Sequence, residues 1–180
     1  MQASVDDERI AVLLNLQRTL GLRFKESVLL DAQKVLRQTQ REGRITVFSG
    51  TKGGKRRHVP VSAEAMEALE KAASLQNGPS MVPANLRYVD FCDHCYRQAQ
   101  QQQFQFHGQR HYYAQQRYQT LTGVPAPINT TISKSAWLAY MAVQLNIDLA
   151  AAEKLDHRAR SILSQELGHE RLEVVRVYIG

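Results

Sequence analysis

The chain has 180 residues, of which 43% are apolar and 22% are charged. This composition excludes a disordered chain and allows a hydrophobic core, so we expect a single domain over 1–180. No apolar run approaches the ~20 residues that a bilayer-spanning helix needs, and the acidic N-terminus lacks the pattern of a signal peptide. With only two cysteines, the sequence favours a cytoplasmic setting and no membrane association.

Positive charge is concentrated in one segment. The chain carries 23 Lys+Arg and 17 Asp+Glu residues, a formal net charge of +6. Residues 41–58 alone hold six basic groups and one acidic group, a local net charge of +5. Such a patch is compatible with a polyanionic partner such as nucleic acid.

The secondary structure is predicted to be mostly helical. Apolar residues recur at helical spacing, and residues such as Gly21 and Ser62 mark helix ends. The predicted helices span 6–20, 23–42, 63–76, 84–103, 107–121, 133–146, 148–167 and 170–178. Residues 44–48 and 57–61 are β-prone and flank a glycine-rich basic turn, which predicts a β-hairpin with a flexible tip. The fold class is therefore α+β, mostly helical, with one small hairpin.

Several polar side chains stand at places where core packing does not require them. They are Arg23, Lys52, His107, Arg110, His169 and Tyr178. Attack of a tyrosine on a phosphodiester needs groups of these types. Arginine stabilises the charge that develops on the non-bridging oxygens, a lysine beside other cations can protonate the leaving oxygen, and imidazoles can hydrogen-bond the phosphate. The inventory matches what such an attack needs.

Four sequence boxes resemble those of the tyrosine recombinases, also called phage integrases. The family has G-L-R-x-x-E, T-K-G-x-K-x-R-x-V-P, H-x-x-R-H, and L-G-H followed by a tyrosine nine positions after the histidine. This chain has Gly21–Glu26, Thr51–Pro60, His107–His111, and Leu167–His169 with Tyr178, in the same order. The resemblance covers roughly residues 20–180. It implies a site-specific recombinase catalytic domain that cleaves and rejoins double-stranded DNA without a metal or other cofactor.

The resemblance also implies roles for the catalytic residues. Arg23 and Arg110 would clamp the scissile phosphate, and Lys52 would be the general acid. His107 would assist proton transfer and His169 would hydrogen-bond the phosphate. The nucleophile, Tyr178, would form a 3′-phosphotyrosyl link to DNA.

Other residues of the boxes receive supporting roles. Glu26 would brace the arginine box, and the hairpin residues Lys55, Arg56 and Arg57 would contact the DNA backbone. The resemblance further implies a bacterial, nucleoid-associated enzyme of a prophage or integrative element. The domain alone is expected to be a monomer, and the full-length protein a tetramer on paired DNA sites.

The chain departs from the family pattern in two ways. Arg110 and His169 lie 59 positions apart, a long gap that indicates a subfamily insertion over 122–160. The N-terminal core-binding domain of the family has no counterpart, and two residues follow Tyr178. We therefore expect an excised or truncated catalytic domain whose segment 170–180 is poorly held or misplaced without DNA.

Three alternatives remain open at this point. A type IB topoisomerase uses the same chemistry, and a DNA-binding module could keep the fold without turnover. A zinc site is the third, since Cys92, Cys95, His107 and His111 spell C-x2-C-x11-H-x3-H, one residue short of the zinc-finger spacing. The cysteines fall in a predicted helix rather than a hairpin, and the phosphate box accounts better for His107, so we expect no metal.

Overall fold

The computed structural model describes residues 5–169 and 171–180, with side chains described from residue 8 onward except at residue 52. The chain divides into two compact units, residues 1–110 and residues 111–180. Mostly helical structure with one two-stranded antiparallel sheet confirms the α+β class. No helix in the described part of the chain is long and apolar enough to cross a membrane.

The first unit contains five helices, the sheet and the start of a sixth helix, within its described residues. The helices are α1 (Val5–Leu20), α2 (Phe24–Val28), α3 (Ala32–Glu42), α4 (Ala63–Leu75), α5 (Tyr88–Gln101) and α6 (Phe106–Thr122), and the strands are β1 (Arg44–Val47) and β2 (Arg57–Pro60). Helices α1 and α3 both pack against α4. The unit boundary falls inside α6, between Arg110 and His111.

The predicted hairpin is confirmed. β1 and β2 pair antiparallel with Ile45 opposite Val59 and Val47 opposite Arg57. Ile45, Val47 and Val59 are buried, so one face of the ribbon belongs to the core. Pro60 ends β2, where its missing N–H costs no ladder hydrogen bond.

The single helix predicted over 23–42 is wrong, because the structure forms two helices there. α2 ends at Val28, and α3 begins after Asp31, whose side chain accepts a hydrogen bond from the Lys34 N–H at 3.0 Å. An aspartate cap supplies an acceptor for an otherwise unpaired amide at a helix start. Apolar residues recur at helical spacing on both sides of this break, so the sequence pattern did not indicate it.

Two other predicted helices begin too early. α5 starts at Tyr88 rather than 84, since residues 83–86 form a turn closed by Leu86 N–H and Pro83 C=O. The helix predicted from 133 starts at Trp137. The helices predicted over 63–76 and 107–121 are confirmed within one residue at each end, and Ser62 caps α4.

The second unit is built from the rest of α6, α7 (Trp137–Leu145), α8 (Leu149–Leu167) and a short terminal helix, α9 (Arg176–Ile179). A 3₁₀ turn, Leu172–Val175, precedes α9, so the helix predicted over 170–178 is interrupted; residue 170 lies outside the described residues. Trp137 and Met141 of α7 are buried with Tyr118. The region 122–160, expected as an insertion, therefore supplies core residues to this unit.

Candidate active site

The first catalytic box forms the turn between α1 and α2. Gly21 follows the end of α1 with φ of +60°, a left-handed conformation that glycine adopts without strain. Arg23 caps α2, where its backbone N–H donates to Glu26 Oε2 at 2.6 Å and its guanidinium donates to Glu26 Oε1 at 2.8 Å. The turn thus fixes the Arg23 side chain close to its own backbone.

Glu26 also holds an arginine from the hairpin. Arg57 donates to both carboxylate oxygens of Glu26, at 2.7 and 2.6 Å, in a two-pronged ion pair. The side chains of Arg57 and Glu26 are only 3% and 0% exposed. Burial raises the pKa of the Glu26 carboxyl, but the hydrogen bonds and charges of Arg57 and Arg23 outweigh it, so the pKa lies below its usual value.

This geometry corrects the role predicted for Arg57. A buried guanidinium held by two oxygens of one carboxylate braces the hairpin against α2 and does not face solvent as a DNA-backbone contact would. The bracing role predicted for Glu26 agrees with the same contacts, since Glu26 joins the arginine box to the hairpin.

The hairpin tip remains the basic loop of the first unit. Gly53 and Gly54 both have positive φ, near +70°, and a Cβ at either would meet no atom within 4 Å. Lys55 and Arg56 are exposed and stay candidates for contact with the DNA backbone. The side chain of Lys52, the predicted general acid, lies outside the described residues.

Arg110 is fully buried at 0% exposure, on α6. Its guanidinium donates a short hydrogen bond to the Gly21 carbonyl, which ties the H-x-x-R-H box to the turn of the first box. An arginine held in this way keeps one orientation, as a phosphate clamp requires.

Three of the predicted catalytic residues line one cavity of the first unit. Arg23, His107 and Arg110 share a cavity of about 700 Å³ whose other walls come from α2, α5 and the start of α6. His107 is exposed, whereas Arg23 is half-buried. A ligand in the cavity can therefore reach one guanidinium group, that of Arg23, and the imidazole of His107, which suit an anion such as a phosphate. Arg110 is buried at 0% exposure, so contact with a ligand needs the cavity to open.

Two more of the predicted catalytic residues, His169 and Tyr178, meet in the second unit. The Tyr178 ring lies 5.4 Å from the His169 ring and 4.6 Å from the His111 ring, measured between centroids. The Tyr178 carbonyl accepts a hydrogen bond from Gln115 at 3.2 Å. The contact of His111 with Tyr178 was not predicted. The signal for it was the place of His111 at the end of the H-x-x-R-H box, directly after Arg110.

His169 owes its position to the end of α8. Gly168 has φ of +66°, and the His169 N–H returns to the Ser164 carbonyl at 2.8 Å, which closes the helix end. Glu166, one turn earlier, accepts hydrogen bonds from Tyr113 at 2.8 Å and from Arg117 at 2.8 Å. These α6 contacts fix the helix end that carries His169, and sequence reasoning had not predicted them.

Residues 171–180 are well packed, so the expectation of a poorly held tail is wrong, whereas a misplaced tail stays a prediction. Tyr178 is only 5% exposed and Ile179 is fully buried. Arg160 donates to the Gly180 carbonyl at 3.0 Å, and the Gly180 N–H closes α9 on Arg176. Contacts of the Tyr178 ring with the imidazoles of His111 and His169, together with the burial of Ile179, anchor the segment.

The zinc alternative is not supported. Among residues 5–169 and 171–180, no group of three or more His, Cys, Asp or Glu side chains is placed to hold a metal ion. Cys92 and Cys95 are both buried on α5, as expected of helical thiols that pack in the core.

Comparison with known protein families agrees with these boxes. Residues 1–119, about two thirds of the chain, match the family model described as Integrase. The chain belongs to the integrase family. The matched part contains Arg23, Lys52, His107 and Arg110 but ends before His169 and Tyr178. Searches of curated proteins and of solved structures returned no match.

Proposed function

We propose that this chain is the catalytic part of a tyrosine-type site-specific DNA recombinase of a mobile element, with the tyrosine recombinase fold. The observation that supports this function best is the cavity of the first unit in which Arg23, His107 and Arg110 come together. Arg23 and His107 are accessible there, Arg110 is buried on the Gly21 carbonyl, and groups of these types match the charge of a phosphodiester. Membership of the integrase family supports recombination as the outcome of phosphate chemistry.

The proposed reaction has two balanced steps. The Tyr178 hydroxyl attacks the scissile phosphorus and passes its proton to His107, so that a 3′-phosphotyrosyl bond forms. The bond to the 5′ oxygen breaks while Lys52 gives that oxygen a proton. Arg23 and Arg110 stabilise the charge on the non-bridging oxygens, and His169 hydrogen-bonds the phosphate. In the second step, a 5′ hydroxyl from another strand gives its proton to Lys52 and attacks the phosphotyrosine, and the released Tyr178 oxygen takes back the proton from His107.

The setting that we propose follows from the same reaction. The substrate is double-stranded DNA in the bacterial cytoplasm, with Lys55 and Arg56 on the phosphate backbone. The domain acts as a monomer in solution and as part of a tetramer on paired sites, since exchange of strands needs two cleaved duplexes.

The burial of Tyr178 favours a second candidate, a DNA-binding module that does not cleave. A ring that is 5% exposed cannot reach a phosphate unless residues 171–180 rearrange. In the recombinase, DNA binding drives that rearrangement. In the binding module, the tyrosine stays a core residue.

One experiment distinguishes the recombinase from the binding module. Its substrate is a nicked duplex with the junction sequence of the mobile element that encodes the chain. The full-length protein is incubated with it at low salt and without divalent metal, and adducts are read on a denaturing gel. The recombinase forms a covalent protein–DNA adduct that Tyr178→Phe abolishes and Tyr112→Phe, a change at an exposed tyrosine, leaves intact. DNA binding without any wild-type adduct identifies the binding module instead. Relaxation of supercoiled DNA without site preference identifies a topoisomerase.

A further inference from the structure

Four aromatic residues form a continuous surface in the first unit, which we call the aromatic shelf: Phe24, Tyr96, Phe104 and Phe106. The Phe24 ring lies 4.8 Å from Tyr96 and 4.5 Å from Phe106, and Phe104 meets Phe106 edge-on at 5.3 Å. Phe106 is buried, whereas Tyr96 is 55% exposed. The shelf therefore has a packed base and an exposed edge.

The exposed edge is not required for the core. Tyr96 stands on α5 next to the buried Cys95, yet more than half of its surface faces solvent. Val89, two turns earlier on the same helix, is 59% exposed and lines the same cavity. An aromatic ring that is held by two others and still open to solvent is a preformed contact surface, since little rotamer freedom is left to lose on binding.

The shelf shares its cavity with positively charged groups. Arg23, Lys25 and Arg110 line the same space of about 700 Å³, with Asp93 as the acidic residue of the lining. Arg23 directly precedes Phe24, so a phosphate-binding group and a stacking ring are neighbours in the chain. Burial raises the pKa of the Tyr96 phenol, so the ring stays uncharged beside an anion.

This pairing selects one kind of ligand. A protein partner that covered the rings would have to bury Arg23 and Lys25 as well, and it would need matching acidic groups. Single-stranded nucleic acid matches both the cations and the rings of the cavity, because its phosphates pair with cations and its bases stack on aromatic rings. In paired DNA the bases are already stacked, so their faces cannot reach the shelf.

We propose that the aromatic shelf stacks an unpaired nucleobase of the DNA strand whose phosphate lies against Arg23. The inference rests on the proposed function, since it takes the cavity as the phosphate site. It adds a site for a base that leaves the duplex next to the cleavage point. Stacking would hold the opened strand and would favour sites whose local sequence unpairs easily.

The test compares three fluorescent DNA probes of the same length in anisotropy titrations with the full-length protein. One is fully paired, the second carries a short unpaired bubble, and the third has abasic positions in one bubble strand. Wild-type protein should bind the bubble most tightly. Tyr96→Leu should weaken bubble binding by about 5- to 100-fold and change binding to the paired and abasic probes less than twofold. Equal losses on all three probes, or no loss on the bubble, would overturn the proposal.

Two further variants separate stacking from other causes. Tyr96→Phe keeps the ring and should bind the bubble as the wild type does; a loss equal to that of Tyr96→Leu would overturn stacking. Phe48→Leu removes another exposed aromatic ring of the first unit, 47% exposed and outside this cavity, and should leave the preference for the bubble unchanged. Loss of that preference in Phe48→Leu would also count against the shelf.

The adduct assay keeps this proposal distinct from the recombinase proposal. If wild-type protein forms the adduct but Tyr96→Leu binds the bubble normally, the shelf is refuted and the recombinase stands. If no adduct forms but bubble binding depends on the Tyr96 ring, the shelf stands and the recombinase is refuted.

Discussion

Replacing Glu26 by glutamine tests the buried junction between the arginine box and the hairpin. The carboxylate accepts four hydrogen bonds, two from Arg23 and two from Arg57. Glutamine keeps the shape but replaces one oxygen by an N–H₂ group, so two of the four contacts place donor against donor. The Arg57 guanidinium, 3% exposed, also loses its charge partner.

Removal of one partner from a buried ion pair costs about 3–5 kcal/mol, because the other charge stays buried without compensation. We therefore expect Glu26→Gln to lower the free energy of unfolding by about that amount. Far-UV circular dichroism in urea measures this loss. Fluorescence of Trp137, the single tryptophan of the chain, reports on the second unit in the same titration.

The chain contains a matched control for burial. Arg87 and Asp90 form an equally short two-pronged ion pair, at 2.7 and 2.8 Å, on an exposed face. Asp90→Asn removes the same kind of charge where water replaces it, so the urea midpoint should stay within error of the wild type. If Glu26→Gln shifts the midpoint no more than Asp90→Asn does, the Glu26 pair does not brace the fold and the reasoning fails.

The pH dependence of stability gives a second measure of the same pair. The pKa of Glu26 is lower in the folded state than its ordinary value of 4.5. The unfolded chain therefore binds a proton more readily than the folded chain does. The stabilisation is complete above about pH 4.5 and is lost as the pH falls through the lower, folded pKa. Glu26→Gln should flatten this acid limb, whereas Asp90→Asn should keep it.

Two other predictions concern the hairpin and the second unit. Arg56→Gln should reduce the slope of log K for DNA binding against log salt concentration by about one unit, without loss of stability. Arg57→Gln should instead lower the urea midpoint. Equal salt slopes in the two variants would contradict the assignment of Arg56 to DNA contact and of Arg57 to bracing. The Tyr118 hydroxyl accepts a hydrogen bond from Trp137 Nε1 at 3.2 Å and donates one to Asp156. Tyr118→Phe should therefore lower the free energy of unfolding by about 1–3 kcal/mol, measured in urea by Trp137 fluorescence. An unchanged urea midpoint would count against this hydrogen-bond network.

The sequence was sufficient where a single local rule decides the structure. The hairpin followed from two β-prone runs around glycines, and Ser62 followed from its place before a helical pattern. Gly21 and Gly168 both end helices in the left-handed conformation. In each case the cause lies within a few residues, so no tertiary contact was needed to predict the outcome.

The sequence was insufficient where a distant partner decides the role. Arg57 belongs to a basic run, which favours a surface contact, but the carboxylate that holds it is 31 positions away. A local signal did exist: strand residues alternate between faces, so Arg57 shares the inward face of Val59. The basic composition of the segment predicted an exposed Arg57, whereas strand alternation predicted a buried one. Arg57 is buried because the buried carboxylate of Glu26 pairs with it.

For Tyr178, too, the role predicted from the sequence conflicts with its burial in the structure. Its spacing from His169 predicts a nucleophile, yet the structure packs it between two imidazoles beside the buried Ile179. These two roles are compatible if the packing is the resting arrangement. The His111 and His169 rings then keep the phenol covered until DNA displaces residues 171–180, and the energy of that displacement comes from phosphate binding. Under this argument, His111→Ala should expose Tyr178 and speed adduct formation on the nicked duplex, whereas a core role for Tyr178 predicts loss of stability with no adduct.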